Sequence, residues 1–278
     1  MSEFHPISLC NVSYKIISKL LSKWLKRFFP DLISETQSAF VARRLITDNI
    51  LLAQENFHAL RTNTRAREEF MAIKTDMSKA YDMIEWSFIR SLMLRLGFAE
   101  KLVDLLMFCV TSVPYQVIIN GEPRGRITPT RGLRQGDLLF LFLFILCTEA
   151  LISLLQGAEE EKRILGLRVA RASPRISHLL FADDSLFFFK AEVRQCKEIL
   201  DILESYGKAS GQQLNAYKSS IIFGNKVDHN VKQDIKRALG ITTEGGMGKS
   251  LGLPEQICGS KMKVFSYVQD RLNGCVTS

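Results

Sequence analysis

The sequence has no CxxC pair and no histidine spaced to join a cysteine on a metal, and its six cysteines (Cys10, Cys109, Cys147, Cys196, Cys258, Cys275) are far apart. That pattern excludes a zinc module and a disulfide framework, and leaves buried thiols in a reducing compartment. The opening residues, MSEFHPISLC, lack the basic start and apolar run of a secretory signal, so an intracellular protein of the cytoplasm or nucleus is expected. There is no fixed-period repeat and no low-complexity tract. The one long apolar run, Leu138 to Cys147 (LLFLFLFILC), is too short to cross a bilayer and is followed by Thr148 and Glu149. A buried helix is expected there, and no membrane partner.

What is present is ordinary globular composition with a basic excess. The 278 residues give room for one large or two modest domains, with a core that needs no covalent staple. Lys and Arg outnumber Asp and Glu 37 to 29, a formal charge of +8, which favours a polyanionic partner.

Hydrophobic periodicity places the elements. Residues 10 to 29 carry Val12, Ile16, Ile17, Leu20, Leu21, Trp24, Leu25 and Phe28 at helical spacing among lysines, and Pro30 with Asp31 is expected to close this basic amphipathic helix. A second helix is expected from Thr47 to Leu60, capped by Thr47 or Asp48 and burying Ile50, Leu51, Phe57 and Leu60; residues 61 to 69 read as a charged loop or boundary. Phe70 to Thr75 alternates as a strand and runs into Asp76. Helices follow at Ser87 to Leu96, stopped by Gly97, and at about 100 to 110. Tyr115 to Thr128 folds back at Asn120-Gly121, a dipeptide that supplies the positive φ angles of a tight hairpin. HLLFADDSLFFF, residues 178 to 189, reads as two antiparallel strands with Ala182, Asp183, Asp184 and Ser185 at the bend, and helices resume at 192 to 206 and 229 to 239. The fold class is α+β with a central antiparallel sheet.

Three segments carry chemistry. Adjacent carboxylates at a hairpin tip, Asp183 and Asp184, repel each other and lose solvation unless a cation offsets them; the bland reading is two turn formers. Asp76 at a strand end could share that cation, because magnesium takes hard oxygen ligands from neighbouring strand ends, or could simply cap the strand. In RGLRQGD (residues 131 to 137) the glycines allow close approach of backbone to a ligand, and Arg134 and Gln135 can offer donors to phosphate or base; the alternative is a glycine-rich connection with a solvated charge. Gly248, Lys249 and Ser250 end like a nucleotide-binding loop, but Thr243 stands where that pattern requires glycine.

These segments, with the ordered blocks HPISLCNVSYKIISK, QSAFVARRLITDNILLAQE, KTDMSKAYDMIEW, GLRQGDLLFLFLFILC, LLFADDSLFF, SGQQLNAYKSSIIFGN and GKSLGLPEQICGSKMKVFSYVQDRL, resemble the reverse transcriptase of plant-type non-LTR (LINE-type) retrotransposons through nearly the whole chain. The resemblance implies a right-hand polymerase core, an antiparallel palm sheet packed on helices with partial fingers at 1–67, palm at 68–224, and palm exit and the start of a thumb at 225–278. It implies two-metal nucleotidyl transfer with two Mg²⁺ ions (Mn²⁺ in their place being possible), using an RNA template, a DNA primer and deoxynucleoside triphosphates. By it, Asp76, Asp183 and Asp184 match the metal triad, and Lys218 the lysine that protonates departing pyrophosphate. Tyr81 matches the aromatic beneath the incoming sugar, which clashes with a 2′-hydroxyl. Gln135 and Gly136 match the loop against the nascent base pair, and Arg44 keeps the arginine of the finger loop. Leu251, Gly252, Leu253 and Pro254 match the block leading to the thumb.

Departures from the family bear on activity. His5 stands where the family has a triphosphate-binding arginine, and Arg43 replaces a glycine, which strains the loop if φ there is positive. Leu138, Leu139, Phe140 and Leu141 replace Pro-Leu-Ser-Pro, removing a defined helix entry and cap. Ser250 replaces a tyrosine. The chain also opens inside the finger block and stops soon after LGLP. Together these imply a fragment cut at both ends and a weak or inactive polymerase, with a catalytically idle RNA-binding protein or a decayed retroelement product as the alternative.

Overall fold

A computed structural model describes residues 10–245. His5, Ser250, Leu251 to Pro254 and most of the proposed thumb segment therefore lie outside the described residues. In chain order the elements are α1 (Val12–Leu25), α2 (Phe29–Leu32), α3 (Ile46–Thr62), α4 (Ala66–Glu69), β1 (Phe70–Thr75), α5 (Ala80–Met83), α6 (Trp86–Arg95) and α7 (Glu100–Thr111). There follow β2 (Tyr115–Ile119), β3 (Glu122–Ile127), α8 (Leu138–Glu160), β4 (His178–Phe181), β5 (Asp184–Lys190), α9 (Val193–Ser210), β6 (Ser220–Phe223) and α10 (His229–Leu239). The class is α+β, as expected: a four-stranded antiparallel sheet in the order β4-β5-β1-β6, with β2 and β3 paired as a separate hairpin.

The sheet is covered on both faces, which is why Phe187, Phe188 and Phe189 are all buried without alternation. Met71, Ile73, Phe187, Phe189 and Ile221 pack with Leu151, Ile152 and Leu155 of α8 and Ile199 of α9. Phe70, Ala72, Leu186 and Phe188 face the other way, against Ile50, Phe57 and Leu60 of α3. α8, at 23 residues roughly 35 Å long, runs through two of the three core clusters, joining the sheet to α1, α6 and α7. It is the one described helix long and apolar enough to span a membrane, and 72% of its apolar window is buried inside the fold.

Several boundaries differ from those read in the sequence. α1 stops at Leu25 and Pro30 lies in the first turn of α2 rather than ending a longer helix. The stripe of large apolar residues on α1 is not its buried face: Val12, Ile16, Leu20 and Trp24 are exposed, whereas Ser18, Ser22 and Leu25 are buried. Small serines let α1 approach the bulky start of α8, where Ser18 Oγ donates to Asp137 Oδ1. α3 starts at Ile46, with Asp48 accepting from the Leu45 amide at 3.0 Å, and Leu51 is exposed. Within residues 61 to 69, α3 runs on to Thr62 and α4 takes Ala66–Glu69, so only a turn at 63–65 is left of the expected loop. The helix entry expected to be lost at Leu138 is intact, because Asp137 is the N-cap and accepts from Leu139 N at 3.0 Å.

Arg43 has φ of +66°, the left-handed region that costs an L-residue about 1–2 kcal/mol. Arg43→Gly is therefore expected to raise unfolding free energy by about 1 kcal/mol in denaturant titration; an unchanged midpoint would show that the loop relaxes around the arginine.

His178, at the start of β4, is buried, and only one of its ring nitrogens is partnered. Ser177 Oγ has a single proton, which goes to Glu159 Oε2 at 2.8 Å, so the 2.8 Å contact with His178 Nδ1 is donated by the imidazole and Nε2 remains bare. Burial pushes its pKa down from 6.5 to about 4. The unfolded chain binds a proton that the folded chain refuses in that window, so the contribution is complete above pH 6.5 and declines as pH falls toward 4. The loss is about 3 kcal/mol. Comparing wild type with His178→Leu by thermal melting across this range checks it, since the variant should lack that part of the acid sensitivity.

Candidate active site

β1 ends at Thr75, which is paired with Ser185, and one further step of that register sets Asp76 across from Asp184. The β4–β5 turn is two residues, Ala182 and Asp183, because Phe181 pairs with Asp184. Asp184 and Ser185 thus belong to β5 and not to the bend, a correction to the sequence reading. Ala182 has φ of +54°, a conformation in which glycine is favoured. The turn lifts Asp183 into solvent, while Asp76 and Asp184 are half-buried.

The three carboxylates share one electrostatic neighbourhood. Burial raises the Asp76 carboxyl above its ordinary range; Lys218 pulls it back, Asp183 raises it further, and Lys74 and a hydrogen bond from Asn215 lower it. Burial likewise raises Asp184, opposed by Lys74 and reinforced by Asp183 and Asp76. Three carboxylates face two ammonium groups, so negative charge remains in excess, and the donors are hard oxygens. That donor set fits a divalent cation of the magnesium class. Among the described residues no three His, Cys, Asp or Glu side chains close round a single ion unaided. The arrangement is an open cluster of charge rather than a finished cage.

Lys218 is distant in sequence and reaches Asp76 because residues 210 to 219 run back along 76 to 85. Glu85 N donates to Ser210 O, Ser78 N to Gln213 O and Asn215 N to Asp76 O at 2.8–2.9 Å, and Asp76 N donates to Ser219 Oγ at 3.2 Å. Gly211 is required here: a Cβ would lie 2.3 Å from Met83 O, and its φ is +81°.

Tyr81, on α5, stacks on Phe144 with ring centroids 4.2 Å apart. Burial, then the Asp183 charge, pushes its phenol well up, so the ring lies beside the carboxylates. The 131–137 loop is pinned to the same short helix: Leu133 N donates to Tyr81 O and Gly132 N to Ile84 O, both at 2.7 Å, and Trp86 Nε1 donates to Gly132 O at 2.8 Å. Gln135 and Gly136 sit at the turn that follows, Gly136 exposed with φ of +91°.

Two expected ligand-binding arginines are otherwise occupied. Arg134 is buried; its guanidinium donates to Cys109 O at 3.0 Å and to Cys10 Sγ at 3.3 Å, and lies over the rings of Tyr14, Phe140 and Tyr115. Arg44 donates to the carbonyls of Ile33, Ser34 and Gln37. Both tie chain segments together, because carbonyls in loops and in the last turn of a helix such as α7 need donors that the local backbone cannot provide.

The sequence reading missed Gln37. It is fully buried; its Oε1 accepts from Ala182 N at 3.3 Å and Ala39 N at 3.0 Å, and its Nε2 donates to Thr148 Oγ1 at 3.2 Å. It is the side chain that holds the strained turn beneath Asp183. Asn215 and Lys74 were missed too. Gln37 and Asn215 stand inside the QSAF and NAYKSS blocks, but only the folded contacts single them out.

Residues 1–243 match the family described as reverse transcriptase (RNA-dependent DNA polymerase). The chain belongs to the reverse transcriptase family. An uncharacterized mitochondrial protein of Arabidopsis thaliana is 62% identical over 68 residues, 24% of this chain and 56% of that protein. The transposon TX1 uncharacterized 149 kDa protein of Xenopus laevis is 28% identical over 225 residues, covering 79% of this chain and 16% of that protein. A Pol polyprotein from the type-1 retrotransposable element R2 of Popillia japonica is 24% identical over 219 residues, 78% of this chain and 29% of that one. The chain thus spans about half of the first of these relatives and less than a third of the other two. The fold is that of Candida tropicalis telomerase, solved with a fragment of telomeric RNA: TM-score 0.51 at 14% identity, over 76% of this chain and 33% of that one. By descent the chain carries a reverse transcriptase domain, and it is similar in sequence to proteins of transposable elements.

Proposed function

We propose that the chain carries out template-directed nucleotidyl transfer, extending a DNA primer on an RNA template with deoxynucleoside triphosphates. The observation that carries this reading is the cluster of Asp76, Asp183 and Asp184 with Lys218 alongside, on the adjoining ends of β1 and the β4–β5 turn. Asp76, Asp183 and Asp184 would hold two Mg²⁺ ions, or Mn²⁺ in their place. When bound, such ions activate a 3′-hydroxyl and offset charge on the departing pyrophosphate. Lys218, exposed beside Asp76, is the proton donor to that leaving group. Tyr81 forms the floor beneath the sugar, and Gln135 and Gly136 lie against the nascent pair. In this reading residues 1–67 serve as partial fingers, 68–224 as palm and 225–278 as palm exit and the beginning of a thumb, acting in the cytoplasm or nucleus.

The test is extension of a labelled DNA primer on an RNA template with Mg²⁺ and each deoxynucleotide in turn. Addition should follow the template and stop in chelator; untemplated addition, or addition that persists without divalent ions, would sink the proposal.

Tyr81 gives a separate handle on substrate choice. Its ring is what would crowd a 2′-hydroxyl, whereas the bond from Leu133 N goes to its backbone and survives substitution. Tyr81→Val is expected to admit ribonucleotides while changing deoxynucleotide use little, read as the ratio of the two kcat/KM values. An unchanged ratio would make Tyr81 only the packing partner of Phe144.

A further inference from the structure

At the opposite end of the sheet from the carboxylates, residues 164 to 177 (ILGLRVARASPRIS) form a small hairpin with three arginines and no acidic residue. Leu167 and Ile176 exchange both backbone hydrogen bonds, at 2.8–2.9 Å, and Ser173 closes the tip onto Ala170. Counting inward from that bridge sets Arg168 opposite Arg175, with Arg171 at the tip. Like charges directly opposed across a ladder destabilise it; Arg175 Nη1 donates to Gly166 O at 3.2 Å, a neutral acceptor that leaves the charge unpaired. Among the described residues no carboxylate lies in ion-pair range of Arg168, Arg171 or Arg175, and all three are exposed. The acids around the hairpin are engaged elsewhere: Glu159 accepts from Ser177 Oγ at 2.8 Å at its base, Glu69 pairs with Arg65 at 3.0 Å and Lys190 at 3.5 Å, and Glu68 with Arg67 and Lys226 at 3.9 Å.

The arginines border a cavity of about 360 Å³ whose wall also includes Asn63, Arg65 and Val169. Asn63 fixes the hairpin to the neighbouring helix, its Nδ2 donating to Val169 O at 3.4 Å and its Oδ1 accepting from Arg65 N and Ala66 N at 3.0–3.1 Å. Phe70, at the start of β1, lines the same cavity, while Asp76 follows the strand's other end, so the two sites are separated by roughly 17–20 Å of extended chain.

We propose that this arginine hairpin is a second nucleic-acid contact, binding the phosphodiester backbone of RNA outside the catalytic cleft. Guanidinium groups grip phosphate oxygens through paired N–H donors. Three of them spread over both strands and the tip of a hairpin suit successive phosphates along a strand better than one small anion. Such contacts read no sequence; they hold template RNA to the polymerase core between additions. The choice of RNA rests on the function proposed above, but the binding does not depend on catalysis.

The experiment is fluorescence anisotropy of the whole chain with a labelled unstructured RNA oligonucleotide, without divalent ions or nucleotides, over a salt series. The triple variant Arg168→Gln, Arg171→Gln, Arg175→Gln should bind at least about tenfold more weakly. Its plot of log affinity against log salt should be shallower by about 2, given about 0.7 per phosphate contact released. The control Arg95→Gln, Lys101→Gln, Lys197→Gln removes the same charge from exposed positions elsewhere and should leave the slope nearly as in wild type. Removing opposed arginines should not lower the melting temperature, which separates lost binding from lost fold. Equal effects in the two triples, wild-type affinity in the arginine triple, or tighter arginine-dependent binding to phosphatidylserine vesicles than to RNA would overturn the proposal. A chain that fails to extend primers yet shows the arginine-specific loss would overturn the polymerase reading and leave this site standing.

Discussion

Asp183→Asn is expected to lower Mg²⁺-dependent primer extension by at least about 10²–10³-fold while leaving the melting temperature unchanged or slightly higher. The opposite signs have one cause. Asp183 raises the carboxyls of both Asp76 and Asp184, so its charge makes the cluster costly in the free protein and attractive to a divalent cation. Asparagine keeps the shape and removes the charge. Because Asp183 is solvent-exposed at the turn, neutralising it leaves no buried group unpaired. Parallel measurement of extension and of Mn²⁺ binding by electron paramagnetic resonance tests the account. A variant that keeps wild-type Mn²⁺ affinity and extension would show that Asp183 is a turn residue only.

Arg134→Ala is expected to cost about 3 kcal/mol of stability, which is large for a polar-to-alanine change. A charge-assisted bond to Cys109 O is lost, leaving that carbonyl short of a donor. The stacking of the guanidinium over Tyr14 and Phe140 goes with it, at 4.6 Å and 4.9 Å to the ring centroids. The deletion also opens space where α1, α8 and the β2–β3 hairpin meet. Arg134→Met should recover part of the loss through packing and none of the hydrogen bonding. Urea titration of the three proteins checks this. If Arg134→Ala instead unfolded like wild type and weakened nucleotide binding, the arginine would be the ligand contact that the sequence suggested.

Arg134 shows where reading the chain alone stops. RGLRQGD announces a loop that needs glycine, and the structure agrees at Gly132, whose added Cβ would meet Asp82 O at 2.7 Å. It does not announce which way the arginine turns. That depends on Tyr14 and Cys109, residues far away in sequence that supply the aromatic face and the carbonyl. The same holds for Arg44 and for the exposed stripe of α1, where periodicity marked a helix correctly but the partner's bulk decided which side was buried.

By itself the sequence determined the element types and the family. Phe70–Thr75 ending at Asp76, the Asn120-Gly121 hairpin, the apolar α8 and the FADD turn are local patterns, set by side-chain periodicity and by the φ angles that particular residues tolerate. The tertiary structure alone decided which charges meet. Lys218 comes to Asp76 and Gln37 to Ala182 through sheet register and loop docking. Those are contacts between segments whose pairing energies are long-range, and they leave no periodic trace in the chain.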